Sequence, residues 1–268
     1  MSETAPGLID TRVDGGVGHI VMSNPSRMNA MNSAMWRALP TAVARLDGDP
    51  EVRVIVVRGA GEAAFSAGAD ISEFGAVRST PEAVQAYEDL NSAAIDALLA
   101  AQKPVVAAVR GFCLGGGFAL AMCCDIRLAS ADAQFGIPAA RLGLGYNPRW
   151  MRPLLAGMSA AHVKEVLFTG DRFDSQAALR MGMAQRVYAD AEFAQQTDAV
   201  IARIAQNAPL SIRASKAAIN AVAESALRLD DPAWATLDAL VDACFRSADY
   251  AEGRAAFAEK RKPVFRGR

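Results

Sequence analysis

The stretch Gly111-Phe-Cys-Leu-Gly-Gly-Gly-Phe-Ala-Leu-Ala-Met-Cys-Cys-Asp125 decides how this chain folds. An apolar run, Pro104–Arg110, leads into it and reads as a strand buried on both faces. Three consecutive glycines, Gly115 to Gly117, then open a helix of small residues. Glycines at a helix start leave backbone N–H groups unpaired and uncovered by side chains. Such a terminus is a ready site for negative charge on oxygen. It also lies beyond the carboxyl end of a buried strand, where ligands of α/β sheets bind.

Working outward, the alternation of strand and helix extends to about residue 190. Residues 8–14 and 18–23 read as strands of a hairpin turning at Gly15–Gly16. Asn32 or Ser33 caps a helix that carries Met35, Leu39, Val43 and Leu46 on one face. Val54–Arg58 is a second continuous apolar strand, followed by a loop over Gly59–Gly68. Thr80-Pro81-Glu82 starts a helix that runs to about Ala101. Ile126–Ala129, Gln134–Gly136 and Ala184–Tyr188 read as short strands, and Ile137–Trp150 as irregular. Ser159 caps one further helix and Asp174–Ser175 another. From Glu192 the strand signals disappear, and helical patterns cover about 191–206, 209–228, 231–246 and 250–260. The expectation is an α/β body over 1–190 and a helical region over 191–268.

Composition narrows the function classes. With 52% hydrophobic and 21% charged residues, the 268-residue chain has the balance of a soluble globular protein. The net charge is −1 with Lys and Arg scattered, which argues against nucleic acid as a partner. His19 and His162 are the only histidines, and the cysteines, Cys113, Cys123, Cys124 and Cys244, form no C-x-x-C pair. A zinc site is therefore not expected, and the cysteines read as small buried hydrophobes in a reducing compartment. Met1–Gly18 has no basic patch followed by an apolar run, so neither a signal peptide nor membrane insertion is expected, and the location expected is cytoplasmic.

Two turns have the means to donate hydrogen bonds to one oxygen: Ser66–Ala69, bent by Gly68, and Gly115–Gly117. One N–H from each makes a two-donor oxyanion hole suited to an enolate. A glycine triplet equally serves tight strand–helix packing, and composition alone leaves both readings open. Other motifs fail. Gly-x-x-x-x-Gly-Lys-Ser/Thr is absent, Leu120 takes the third glycine position of Gly-x-Gly-x-x-Gly, and Ala64 breaks a nucleophile elbow at Ser66.

Several motifs at consistent spacing then carry a resemblance. Met28-Asn-Ala-Met31, Phe65-Ser-Ala-Gly-Ala-Asp-Ile71, Gly111–Ile126, Phe135-Gly-Ile-Pro138 and the tail Ser247–Phe265 closely resemble the enoyl-CoA hydratase/isomerase, or crotonase, superfamily. The match covers nearly the whole chain in the family's order. It implies a crotonase-like α/β fold, a spiral of ββα units with a C-terminal helical trimerisation region, assembled as a homotrimer or dimer of trimers. It implies an acyl-CoA thioester as ligand, coenzyme A being part of the substrate, with no tightly bound cofactor and no metal. The thioester oxygen would be held by the N–H groups of Ala69 and Gly116. The CoA part would lie along residues 26–31 and 67–71, with Arg27, Ala67 and Ile71 as contacts. Arg27 is equally readable as a solvated surface charge, and Asp70 reads as a cap for the following turn.

The departures from the family are as informative. The resembled hydratases place a glutamate three residues after the second oxyanion glycine, where this chain has Ala119, and another just after Phe-Gly-x-Pro, where it has Ala139. Adding water to an enoyl thioester takes one group to activate the water and one to protonate the α-carbon. Alanine does neither. Tyr146 is the candidate proton donor or orienting group, or else a packing residue with its hydroxyl on the backbone. Asn147 stands near where some superfamily isomerases hold a working acid, but it does not titrate. Pro138-Ala139, Tyr146-Asn147 and the tail also resemble the methylmalonyl-CoA decarboxylase branch, which keeps a glutamate where Ala119 stands. The expected function is an acyl-CoA enzyme of lyase or isomerase type that stabilises a thioester enolate without the two-glutamate machinery. The alternatives are a catalytically silent acyl-CoA-binding protein and a methylmalonyl-CoA-type decarboxylase.

Overall fold

The computed structural model describes residues 7–77, 79–224 and 231–268. Of the helix expected over 209–228, residues 225–228 lie outside the described residues, as do residues 1–6 of the segment read for a leader.

β1 (Leu8–Asp14) and β2 (Val17–Ser23) form the expected antiparallel hairpin, with Leu8 opposite Ser23. α1 (Ser33–Gly48) follows. Asn32 caps it by accepting from the Met35 amide at 2.8 Å, and Met35, Trp36, Leu39, Val43 and Leu46 are buried along one face. β3 (Val54–Gly59), β4 (Ala64–Ser66), α2 (Phe74–Val77) and α3 (Pro81–Ala100) make the first unit of two strands and helix, with Thr80 capping α3. β5 (Val105–Val109), β6 (Phe112–Leu114) and α4 (Gly116–Cys123) make the second. β7 (Ile126–Ser130) and β8 (Gln134–Gly136) begin the third, and α5 (Met151–Gly157) and α6 (Ala160–Thr169) come after. β9 (Phe173–Asp174), α7 (Ser175–Met181) and β10 (Arg186–Tyr188) close the body. α8 (Phe193–Gln206), α9 (Pro209–Glu224), α10 (Ala233–Phe245) and α11 (Ala248–Ala258) complete the chain.

The first strand of each unit enters a six-stranded sheet of order β1-β2-β3-β5-β7-β10, and the second enters a four-stranded sheet of order β4-β6-β8-β9. This corrects two local readings. The loop over Gly59–Gly68 contains β4, and the segment between Arg110 and the glycine triplet contains β6. Three-residue strands carry too few positions for a period of two to show. Glycine makes the turn between sheets possible. At Gly111, φ is +59°, and a Cβ would fall 2.0 Å from the Ala63 carbonyl oxygen, so no other residue fits. α5 is likewise an addition to the expected elements.

The apolar strands are continuous because both faces of the large sheet are covered. Ile55, Val57, Val105 and Ala107 face the main core with α1 and α3. Val54, Val56, Val106 and Leu128 face a second core under Phe193, Val200 and Ile201 of α8. Arg127 is buried in β7, where Nε donates to the Met183 carbonyl at 2.9 Å and Nη1 to the Cys124 carbonyl at 2.7 Å. It ties the strand to the end of α4 and to the turn after α7.

His19 in β2 gives the fold a pH dependence. Burial, then the charges of Arg58 and Arg12, outweigh Asp14 and Asp198 and take its pKa from 6.5 down to about 4. The unfolded imidazole binds a proton below 6.5, while the folded one stays neutral until about 4. His19 therefore costs stability as pH falls through that window, by up to about 1.4 kcal/mol per pH unit. Urea unfolding of His19→Gln should show a smaller loss of stability between neutral and mildly acidic pH than the parent chain. An equal loss in both would remove His19 as the cause.

Candidate active site

The site begins at the turn after β2. Residues Pro25–Arg27 form a 3-10 turn, and Met28 and Asn29 continue in the left-handed region, with φ of 51° and 56°. Asparagine tolerates that backbone, and here its side chain also clamps it. Asn29 Oδ1 accepts from the Asn24 amide at 3.0 Å, while Nδ2 donates to the carbonyls of Ala60 at 2.9 Å and Ala64 at 2.7 Å. The loop is thereby fastened to the corner between β3 and β4.

That fastening orients the first donor. The Ala67 amide donates to the Met28 carbonyl at 3.0 Å, the Met31 amide to the Gly68 carbonyl at 2.7 Å, and the Asp70 amide to the Met31 carbonyl at 2.9 Å. The bridge between Met31 and Ala69 is parallel, so it uses the groups on either side of Ala69 and turns Ala69's own N–H the other way. Gly68 has φ of +100°, and a Cβ on it would come 2.9 Å from the Leu114 carbonyl oxygen and 3.3 Å from the Gly116 nitrogen. Only glycine lets the two turns meet this closely.

The second donor follows from the start of α4. The Gly115 amide donates to the Gly136 carbonyl at 2.8 Å, and the Gly115 carbonyl accepts the first helical bond from Ala119 at 3.1 Å. The Gly116 amide comes before that ladder and is one of the open amides of the helix start. The Ala69 nitrogen lies 3.8 Å from where a Gly116 Cβ would stand. Among the described residues, neither the Ala69 nor the Gly116 amide has an acceptor.

Aromatic rings wall this pair. The edge of Trp36 is 3.1 Å from that same Cβ position, and its Nε1 donates to Tyr87 Oη at 3.2 Å. Trp36 lies 6.4 Å from Trp150, which meets the Tyr146 ring edge-on at 5.1 Å. On the outer side, Arg27 and Met28 are exposed, Ala67 is half-buried and Ile71 is 68% exposed. The hydrogen bond from Ala67 to Met28 ties the two segments together. Asp70 serves as a cap: its carboxylate accepts from the Ser72 amide at 3.0 Å and the Ser72 hydroxyl at 2.6 Å. Burial opposes its ionisation, but those bonds, the charge of Arg27 and a bond from Asn24 hold its carboxyl below the usual range.

Ala119 is fully buried in α4, and Ala139 is half-buried against the core. Neither position offers a polar group. The Tyr146 ring packs against the core, but its hydroxyl does not bond the backbone as the packing alternative has it, being buried with no hydrogen-bond partner among the described residues. Burial raises its phenol well above the ordinary value, and Cys123, Glu88 and Cys113 add to the rise. Cys113, Cys123 and Cys124 are buried free thiols, and burial pushes Cys124 up to about 12.

Sequence reasoning missed Glu88. Asn147 Oδ1 accepts from the Arg149 amide at 3.0 Å, which leaves Nδ2 to donate to Glu88 Oε2 at 2.9 Å. Glu88 is one acid among several on α3, and nothing in the helix pattern singles it out. A cavity of about 930 Å³ lies away from the paired amides, lined by Met122, Cys123, Leu155, Ile212 and Lys216 among others. Among the described residues no group of three His, Cys, Asp or Glu side chains could hold a metal ion, and no helix is long and apolar enough to cross a membrane.

Residues 12–268 match the family model described as Enoyl-CoA hydratase/isomerase. The chain is 35% identical over 251 residues to the short-chain-enoyl-CoA hydratase of Clostridium acetobutylicum, covering 93% of this chain and 94% of that one. It is 35% identical over 250 residues to the crotonyl-CoA hydratase of Syntrophomonas wolfei, covering 92% and 93%. Its structure resembles that of an enoyl-CoA hydratase/carnithine racemase from Magnetospirillum magneticum, with a TM-score of 0.90, 35% identity and coverage of 97% and 96%.

Proposed function

This chain belongs to the enoyl-CoA hydratase/isomerase family and has its crotonase fold, and on that premise we propose that it binds an acyl-CoA thioester and stabilises the enolate of the acyl group between the amides of Ala69 and Gly116. The observation that carries this is the pair of acceptor-free N–H groups brought together by the Gly68 and Gly115 turns. Fixed amides aimed at developing oxyanion charge in a dry site are a large source of rate enhancement. The CoA part takes the rim of Arg27, Ala67 and Ile71, where a guanidinium for phosphate stands beside apolar surface.

Water addition by two glutamates is not part of this reading, although the relatives named above are hydratases. Positions 119 and 139 are alanine, and the chemistry proposed is proton transfer at the enolate, a lyase- or isomerase-type step. The unpartnered hydroxyl of Tyr146 favours a second reading, in which loss of CO2 from a malonyl-type thioester forms the enolate and Tyr146 supplies the proton. Residues 191–268 form the oligomerisation region of a homotrimer or dimer of trimers. Exposed Ile219, Val222 and Phe245 on α9 and α10 support that assignment.

Calorimetric titration with butyryl-CoA and crotonyl-CoA tests the premise, and both should bind. Absence of binding at millimolar ligand overturns it. Binding without turnover of enoyl, malonyl-type or hydrolysable thioesters would leave a silent acyl-CoA-binding protein.

A further inference from the structure

α9 does not close onto the end of α4. Between them lies the cavity of about 930 Å³, a size within the roughly 300–1,000 Å³ of small-molecule sites. No residue of the turns that carry the paired amides lines it. Its wall is mostly apolar. Met122 comes from α4, Ile126 from β7, Leu155 from α5, and Ile212 and Ile219 from α9. Among the described residues three cations also line it, Arg127, Arg152 and Lys216, against one acid, Asp125. Lys216 takes that acid: its Nζ donates to Asp125 Oδ2 at 2.7 Å and to the Lys103 carbonyl at 2.9 Å. Arg127 is left without one. It is only 5% exposed, and its Nε and Nη1 are spent on the neutral carbonyls of Met183 and Cys124. Among the described residues Nη2 has no acceptor, and no carboxylate is paired with the guanidinium. Nη2 is not sealed from solvent. A Cβ on Gly157, a residue of the cavity wall at the end of α5, would stand 3.4 Å from it. Burial lowers the Arg127 pKa, and nearby Cys124 and Asp125 offset this only in part. A guanidinium keeps its proton all the same. A charge buried without a counter-ion is costly, and an anion in the cavity removes that cost.

We infer that this cavity is a second ligand site, and that it takes a monocarboxylate with an extended apolar chain. The carboxylate accepts from Arg127 Nη2, and the chain lies between α4, α5 and α9. A neutral chain would leave Arg127 uncompensated, and a cationic one would be repelled by it. A second copy of this chain is the competing occupant, because Ile219, 66% exposed, belongs to the face assigned to assembly. Apolar side chains from a partner would cover Ile219 but leave the Arg127 charge unpaired. The cavity shares no residue with the paired amides or with Arg27, Ala67 and Ile71, so the site stands apart from the acyl-CoA reading.

Calorimetry on the full-length protein with decanoate, decanol and decyltrimethylammonium tests this, each kept below the concentration at which it aggregates. Decanoate should bind, decanol should bind at least about tenfold more weakly, and the cation should not bind measurably. Ile212→Trp puts a large ring into the cavity and should abolish decanoate binding, with a cooperative thermal melt retained. Arg127→Met removes the charge and should bring decanoate down to the level of decanol. That variant also strips two carbonyls of their donors, so the comparison of head groups in the parent chain decides the matter should it fail to fold. Equal binding of decanoate and decanol overturns the inference. So does unchanged decanoate binding in folded Ile212→Trp. Displacement of decanoate by butyryl-CoA overturns it too, by placing the carboxylate in the acyl-CoA site. Absence of decanoate binding at millimolar concentration overturns it and leaves the cavity to a second copy of the chain. Decanoate binding without butyryl-CoA binding keeps this site and removes the acyl-CoA reading instead.

Discussion

Gly116→Pro is expected to lower turnover of an acyl-CoA thioester by about 10²–10³-fold, or roughly 3–4 kcal/mol, with the protein still folded. Proline has no N–H, so the substitution deletes one of the two donors outright. The backbone accepts it, because Gly116 is the first residue of α4, has no left-handed φ, and loses an amide that no carbonyl was receiving. The cost is steric and small. A Cβ there meets the Trp36 ring edge at 3.1 Å, and that edge is the far end of a side chain. Gly116→Ala brings the same Cβ against Trp36 and keeps the N–H, so the difference between the two variants reports loss of the donor together with the ring carbon that replaces it on the nitrogen. Thermal melts establish that both are folded, and turnover of the preferred thioester supplies the comparison. Equal rates for the alanine and proline variants would mean that the Gly116 amide does not hold the reacting oxygen.

The parts of this site that sequence reasoning reached are those set by one residue or one short run. Thr80 and Ser159 cap their helices as expected, and Asn32 and Asp174 are the caps out of Asn32 or Ser33 and Asp174–Ser175, because a cap depends on a side chain and an amide three residues on. The apolar stretches at 54–58 and 104–110 became strands of the large sheet, since only burial on both faces accommodates them. What stayed hidden depends on residues far apart in sequence. β4 and β6 exist through pairing with each other and with β8, not through any local pattern. The orientation of the Ala69 amide is set by Met31 across a bridge, and Asn29 locks that loop by reaching 35 residues to Ala64. Glu88 and Asn147 are 59 apart, and the carboxylate on α3 gains meaning only from the amide that faces it. Tyr146 stands as a candidate in the sequence, but that its hydroxyl has no hydrogen-bond partner among the described residues emerges only from the folded chain.

Gly117→Ala is expected to be strongly destabilising, costing about 3 kcal/mol and reducing turnover with it. The added Cβ would stand 2.6 Å from both the Cβ and the carbonyl oxygen of Ser66 and 2.8 Å from its Oγ. Atoms do not approach that closely, and the carbonyl belongs to β4, whose neighbours β3 and β6 hold it in place. Relief must come from α4 moving away from β4. That motion separates Gly116 from Ala69, because Gly116 opens α4 and Ala69 lies in the turn that leaves β4. The variant should therefore lose stability in urea unfolding and activity together, whereas Gly116→Pro loses activity with stability largely kept. Ser66→Gly in the same chain removes two of the three close atoms but not the carbonyl oxygen, so it should recover only part of the loss. The contrast resolves an ambiguity that the glycine triplet presents in sequence. Gly115 makes the left-handed turn, Gly116 presents the amide, and Gly117 provides the contact distance that keeps the two donors on one oxygen. If Gly117→Ala proved as stable as the parent chain, α4 and β4 would not be in the close contact on which the paired amides depend.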